Sequence, residues 1–255
     1  MGQSIITTAA AGADWLAISP SEAGFTSDLE APLDKAITEK RVWNLHGVVV
    51  VRKGRLVLER YFEGDDHARG SPLGKIAFKA DTLHDLRSVS KSVVGLLYGI
   101  ALADRKVPPP DAPLVASFPE YADFADPARN RWTIYNALTM TMGTDWDELS
   151  VPYSDPTNSE IAMDMAPDRY RFVLAAPLVM EPGKRWIYNG GATALLARII
   201  ERGTGKPLHA FAPEALFDPL GIGPTEWLTD RGGEAIAASG LRMTPRDLAR
   251  IGLLC

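Results

Sequence analysis

The sequence predicts an α/β fold in which β-strands are flanked by helices and interrupted by a mostly helical middle segment. First, two β-rich runs within residues 46–62 surround the turn Lys53-Gly54, as in a β-hairpin. Second, apolar residues recur at helical spacing from Ser88 onward. Third, residues 111–180 are rich in Pro and Asp and show no convincing strand pattern. These features together predict strands, a buried helix and a helical insertion.

The composition is that of a globular protein with a sizeable core. The 255 residues are 46% hydrophobic and 23% charged, and the net charge is −5. The sequence has no run of Lys and Arg residues that would bind nucleic acid, so no nucleic-acid partner is expected. The one cysteine, Cys255, excludes an intrachain disulfide. No apolar stretch is long enough to cross a bilayer and the first residues lack the charge of a signal peptide, so no membrane partner is expected. The expected location is the cytoplasm, with the periplasm as the alternative.

The predicted elements follow from local patterns along the chain. Gly203 and Gly205 stop one long helix, and the run Pro108-Pro109-Pro110 closes another. An α/β domain is predicted over residues 1–98 and 188–255, and a helical subdomain over 99–187. The elements expected in order are an arm over residues 1–33, a helix over 33–40, the hairpin over 46–62, a loop-like stretch over 64–80, a helix from Ser88, and helices over 192–202, 213–216 and 245–254.

Several common functional motifs do not occur. The sequence contains neither G-x-S-x-G nor G-x-x-x-x-G-K-[ST], and Gly221-Ile222-Gly223 is a lone G-x-G. The acidic residues show no pair that stands out from ordinary surface charge. The histidines are scattered and lack H-E-x-x-H spacing, so no metal site is predicted; they are His46, His67, His84 and His209.

One constellation remains, the S-x-x-K tetrapeptide Ser88-Val89-Ser90-Lys91. Chance alone gives about 0.5 such spacings in a chain of this composition, so its context decides its weight. Residues three apart on a helix share a face, and the helix start favours an oxyanion. The apolar face that follows predicts a buried helix, and burial favours the neutral lysine that can act as a base. The alternative is that Ser88 is a helix N-cap and Lys91 a solvated residue.

The segment from Leu86 to Gly95 resembles the nucleophile helix of the serine β-lactamase/penicillin-binding-protein superfamily, especially the branch of class C β-lactamases, family VIII esterases and 6-aminohexanoate-dimer hydrolases. Further landmarks appear in the same order as in that family. They are the hairpin 46–62, the segment 138–143 (LTMTMG), the segment 182–191 (PGKRWIYNGG), residues 216–222 (LFDPLGI) and residues 240–248 (GLRMTPRDL).

The resemblance implies a β-lactamase-like antiparallel sheet with flanking helices and a helical subdomain. It implies that Ser88 is the acylated nucleophile, Lys91 its base partner and Tyr188 the tyrosine that passes a proton to the leaving group. The substrate would be a small-molecule ester or amide, with β-lactams included, and neither a metal nor an organic cofactor is required. In the Tyr-x-Asn form one residue separates the tyrosine from the asparagine, whereas here Asn189 directly follows Tyr188. Asn189 is therefore either a substrate contact or a turn residue.

The resemblance leaves further alternatives open. Trp146 and Tyr153 are expected either to line the substrate pocket or to pack in the core. The protein could instead be a penicillin-binding or regulatory protein that acylates with little turnover, or a non-catalytic scaffold. Relatives also carry a third, Lys/His-x-Gly-like motif on later strands, and residues 1–255 contain nothing like it. The expectation is therefore that a C-terminal remainder, in the same protein or as a separate chain, completes the sheet.

Overall fold

The computed structural model describes residues 4–8 and 15–255, with backbone alone for residues 4–8. It confirms a mixed fold of helices and short sheets. The strands are β1 (Ser4–Thr8), β2 (Gly47–Arg52), β3 (Arg55–Tyr61), β4 (Glu63–Ala68), β5 (Ser71–Ala77), β6 (His84–Asp85), β7 (Thr225–Thr229) and β8 (Leu241–Met243). The α-helices are α1 (Glu30–Thr38), α2 (Val89–Ala103), α3 (Ile134–Leu138), α4 (Ser159–Met165), α5 (Arg169–Ala175), α6 (Gly190–Thr204), α7 (Leu208–Ala212) and α8 (Pro245–Leu254).

The predicted hairpin is confirmed as β2 and β3, which pair antiparallel from Gly47 opposite Tyr61 onward. Lys53 and Gly54 both have positive φ, 50° and 73°. Two consecutive residues of this kind form the turn that matches the twist of the flanking strands. A four-stranded sheet has the order β1-β7-β8-β6, and β8 is antiparallel to both β6 and β7.

The expectation of a loop-like stretch over residues 64–80 is wrong. This stretch contains most of a second antiparallel hairpin, β4 and β5, around Arg69-Gly70. Its buried positions alternate, but one of them is Asp66, which is only 5% exposed. Asp66 is buried because it pairs with Arg242 at 2.9 Å, and a buried charge needs such a partner. The apolar alternation that reveals strands in a sequence is therefore absent here.

The chain divides into two compact units. A sheet unit comprises Ile5–Arg87, Leu216–Trp227 and Gly240–Cys255; a helical unit consists chiefly of Ser88–Ala215 and Leu228–Ser239. The boundaries predicted at 98/99 and 187/188 differ from this division, since α2 and α6 belong wholly to the helical unit. There α6 packs against α2, α3, α4, α5 and α7 and is buried along most of its length. A helix that is apolar on nearly all sides must lie in the core.

The helix ends follow the capping signals of the sequence. α6 ends at Gly205, which adopts the left-handed conformation at φ 70°. α8 has the predicted bounds, and the Thr244 side chain accepts a hydrogen bond from Asp247 N. Among the described residues, no helix combines the length and apolar character that a membrane crossing requires. The short strands β7 and β8 were not predicted.

Three rings stack inside the sheet unit. His46 lies 3.9 Å from Phe78 and Phe78 lies 4.5 Å from His84, measured between ring centroids. The Nε2 atoms of both histidines are buried without a hydrogen-bond partner. Burial, followed by His46, lowers the pKa of His84 from 6.5 to about 4; Arg242 acts in the same direction and Asp66 opposes it.

This stack predicts a loss of stability in mild acid. The folded state keeps His84 neutral while the unfolded chain binds a proton near pH 6.5, so stability present above that pH falls as the pH drops toward about 4. His84→Phe is expected to reduce this fall, whereas His67→Gln on β4 should keep it. Melting temperatures measured between about pH 7.5 and 4.5 test this. An equal fall in the His84→Phe variant and the wild type would contradict it.

Candidate active site

Ser88 and Lys91 meet in the first turn of α2. Ser88 occupies the N-cap position with helical φ and ψ, and its side chain makes no capping hydrogen bond. Instead, Lys91 Nζ lies 3.3 Å from Ser88 Oγ and donates to it. The helix is fixed by a face of fully buried side chains, among them Val93, Val94 and Leu97. The capping alternative for Ser88 is therefore not realised, and its hydroxyl pairs with the lysine.

Lys91 is held in a nearly dry environment. Its side chain is 7% exposed, and Nζ donates to the backbone oxygen of Ala238 at 2.9 Å. Nζ also lies 3.8 Å from Glu160 Oε2 and 4.8 Å from the centroid of the Tyr188 ring. The structure thus brings Tyr188 close to Ser88 and Lys91, although Tyr188 lies 100 residues after Ser88 in the sequence.

A sharp turn directs the next segment into the site. Gly143 has φ 77°, and a Cβ there would lie 2.4 Å from Met180 O, so the position requires glycine. The chain then runs through residues 144–153, anchored by a hydrogen bond from Asp145 N to Pro177 O at 2.8 Å. This segment carries Trp146, Glu148 and Tyr153.

Two buried carboxyl groups lie behind Lys91, which corrects the expectation that no acidic pair stands out. Glu148 and Glu160 are 2% and 1% exposed, and Glu148 Oε1 and Glu160 Oε2 both lie against Gly190, each 2.9 Å from the position that a Cβ of that residue would take. Glu148 accepts from Gly190 N and from Tyr153 OH at 3.2 Å, and Glu160 accepts from Ser239 Oγ at 2.8 Å. They lie on a loop and on a short helix, so no fixed spacing could reveal the pair. The one local signal is Asn158, whose side chain caps α4 and places Glu160 in its first turn.

The side chains packed against the start of α6 explain why this helix begins with two glycines. A Cβ at Gly190 would lie 2.9 Å from both Glu148 Oε1 and Glu160 Oε2. A Cβ at Gly191 would lie 2.7 Å from Trp146 Cη2. Only hydrogen at these Cα atoms allows the carboxyls and the indole to approach the helix this closely.

Asn189 caps α6. Its Oδ1 accepts from Ala192 N at 2.9 Å and its Nδ2 donates to Thr144 Oγ1 at 3.2 Å. Both ends of the amide are thus used within the protein, which matches the turn-residue alternative. A contact between Asn189 and substrate stays a prediction.

A pocket of about 240 Å³ adjoins Tyr188. Trp146 is in its wall although the residue is only 6% exposed, and Trp186, 58% exposed, adds an accessible apolar surface. Tyr153 lies beside the carboxyl pair through its bond to Glu148, and burial raises the pKa of its phenol. The lining residues are Trp146, Asp147, Glu148, Leu149, Arg185, Trp186, Ile187 and Tyr188.

The chain belongs to the β-lactamase family, whose model matches residues 36–254. It is 30% identical over 220 residues to esterase EstB of Burkholderia gladioli, a match covering 84% of this chain and 54% of EstB. It is 26% identical over 237 residues to the 6-aminohexanoate-dimer hydrolase of Paenarthrobacter ureafaciens, covering 88% of this chain and 53% of that protein. The chain therefore spans about half the length of these relatives.

The fold is shared with solved structures. The structure of a Bacillus anthracis protein named as a candidate 6-aminohexanoate-dimer hydrolase aligns over 99% of this chain and 65% of its own, with a TM-score of 0.73 and 19% identity. The β-lactamase-like fold class expected from the sequence is thus confirmed.

Gly190→Ala tests the close packing of the carboxyl pair on α6. The new methyl group would press on two buried carboxyls and on Ala238 Cβ at 3.3 Å, so the free energy of unfolding should fall by about 1–3 kcal/mol. The matched control is Gly99→Ala, in α2, where an added Cβ meets nothing within 4 Å. That variant should gain about 0.5–1 kcal/mol from helix propensity. Urea denaturation measures both; equal stability of the two variants would show that Gly190 is not required.

Proposed function

We propose that the protein is a serine hydrolase that cleaves a small-molecule ester or amide bond, β-lactam amides included, through an acyl-enzyme on Ser88. The observation that carries the proposal is the contact of 3.3 Å between Lys91 Nζ and Ser88 Oγ at the start of a buried helix. The esterase and amidase names among the relatives support the same reaction class.

The geometry supports a defined role for each group. Lys91 in its neutral form accepts the Ser88 proton, and Ser88 Oγ attacks the substrate carbonyl carbon. The Ser88 backbone N–H, at the positive end of α2, is one donor to the resulting oxyanion. Tyr188, whose ring lies against Lys91, passes the proton to the departing alcohol or amine. Water then attacks the acyl-enzyme, and the acid is released with Ser88 restored.

The pocket beside Tyr188 favours substrates with an apolar group near the scissile bond. Leu149 and Trp186 are 69% and 58% exposed and lie in its wall. Burying such surface against a ligand is favourable by about 25 cal/mol per Å². The proposed substrate is therefore an ester or amide with an apolar acyl or leaving group.

Ser88→Ala should abolish turnover of p-nitrophenyl esters and leave the chain folded, with at most a small drop in melting temperature. The Ser88 side chain makes no N-cap bond, whose loss would cost about 1 kcal/mol, and the variant loses only the contact of its hydroxyl with Lys91 Nζ. Ser92→Ala, an exposed position of the same helix, is the control and should retain activity. Lys91→Arg should also be inactive, because a guanidinium stays protonated. Undiminished hydrolysis by Ser88→Ala would refute the proposal, and a burst of one product per enzyme without steady turnover would favour the slowly deacylating alternative.

Tyr188→Phe should slow acylation about 10²–10⁴-fold without loss of stability, because it removes a proton-transfer group and keeps the ring over Lys91. Stopped-flow measurement of product release across a pH series provides the test. If both the rate and the pH profile match the wild type, Tyr188 contributes packing alone.

A further inference from the structure

The proposed reaction steps do not use Glu148 or Glu160. These two carboxyls are buried side by side, and their negative charges need compensation. Two carboxyls that approach the same Cα atom, that of Gly190, and that are both almost fully buried cannot both ionise without strong repulsion. One ammonium group, Lys91 Nζ, lies 3.8 Å from Glu160 Oε2 and can balance one negative charge. A proton shared between the carboxyls removes the second charge.

We propose that Glu148 and Glu160 share a single proton near neutral pH and act as positioning residues that set the pH at which Lys91 becomes a base. This inference rests on the proposed function of Lys91. With one proton in the pair, Lys91 faces a single negative charge and can release its own proton. When the pair loses the shared proton, the second negative charge holds Lys91 in the ammonium form, which cannot accept the Ser88 proton.

The contacts show how each carboxyl reaches the reacting groups. Glu160 faces Lys91 directly. Glu148 accepts from Gly190 N, two residues after Tyr188, and so fixes the start of α6 beside that tyrosine. The titratable groups facing the pair are Lys91 from α2, Tyr153 from the loop, and Tyr188 ahead of α6, whose ring lies over Lys91 Nζ.

The electrostatic environment agrees with a proton held near neutrality. Burial, and then the neighbouring charge of Glu160, raise the pKa of Glu148 to about 7, whereas the hydrogen bonds from Gly190 N and Trp146 Nε1 oppose this rise. The pair should therefore hold its shared proton to a higher pH than an isolated carboxyl would.

The kinetic test compares pH profiles for acylation of Ser88 by a p-nitrophenyl ester in the full-length protein. Glu148→Gln and Glu160→Gln each leave a single carboxyl, so the second negative charge cannot form and Lys91 should lose its proton at lower pH. In both variants the acid limb should therefore move to lower pH by about one unit. Glu181→Gln is the control, since Glu181 is 58% exposed and pairs with Arg131 on the surface. An acid limb that stays in place in both folded variants would overturn the proposal, because a purely structural role changes the rate and not its pH dependence.

Infrared difference spectroscopy tests the shared proton without reference to activity. The wild type should show the carbonyl band of a buried, protonated carboxyl at about pH 6, and this band should be lost by about pH 8. Absence of the band at the lower pH, or its persistence to about pH 9, would refute the shared proton. This readout holds even if a glutamine variant fails to fold. It also separates the two proposals, because the band reports the protonation of the Glu148–Glu160 pair and does not depend on whether Ser88 is acylated.

Discussion

The arrangement of the helical unit depends on keeping one lysine side chain buried beside a serine hydroxyl. A buried ammonium is costly unless neighbouring groups compensate it. Lys91 has such neighbours in Ser88 Oγ, the oxygen of Ala238 and the Glu160 carboxyl. Each comes from a different part of the chain, so the packing that joins them also defines the candidate active site.

Burial of Glu160 creates a second constraint, because the same cavity holds Glu148. The two carboxyls fit against the start of α6 only because Gly190 has no side chain. Asn189 fixes that helix start by capping Ala192 N, and Tyr188 immediately precedes it. The Tyr188-Asn189-Gly190-Gly191 sequence can therefore be explained residue by residue. Tyr188 is the proposed proton-transfer group, Asn189 is a helix cap, and Gly190 and Gly191 are two positions where other side chains approach the backbone.

Much of this was predictable from the sequence, where local chemistry and family landmarks agree. The hairpin around Lys53-Gly54, the buried helix after Ser88 and the closing helix from Pro245 have strong turn, periodicity or capping signals. The resemblance implies that the segments around Ser88 and Tyr188 share one site, and in the structure Lys91 Nζ lies 4.8 Å from the centroid of the Tyr188 ring. The β4–β5 hairpin and the carboxyl pair were missed for a common physical reason. Asp66, Glu148 and Glu160 are buried acidic residues whose partners, Arg242, Gly190 and Lys91, lie far away in the sequence, and no window of sequence contains both members of such a contact.

The central claim is that Lys91 makes Ser88 a nucleophile, and active-site labelling tests it most directly. The full-length protein would be treated with excess fluorophosphonate probe and the modified residue located by peptide mass mapping. The account predicts one probe per chain, attached to Ser88, in the folded wild type and none at Ser88 in Lys91→Ala. Equal labelling of Ser88 in that variant, or a folded wild type that remains unlabelled, would contradict the claim; the second result would favour a non-catalytic scaffold.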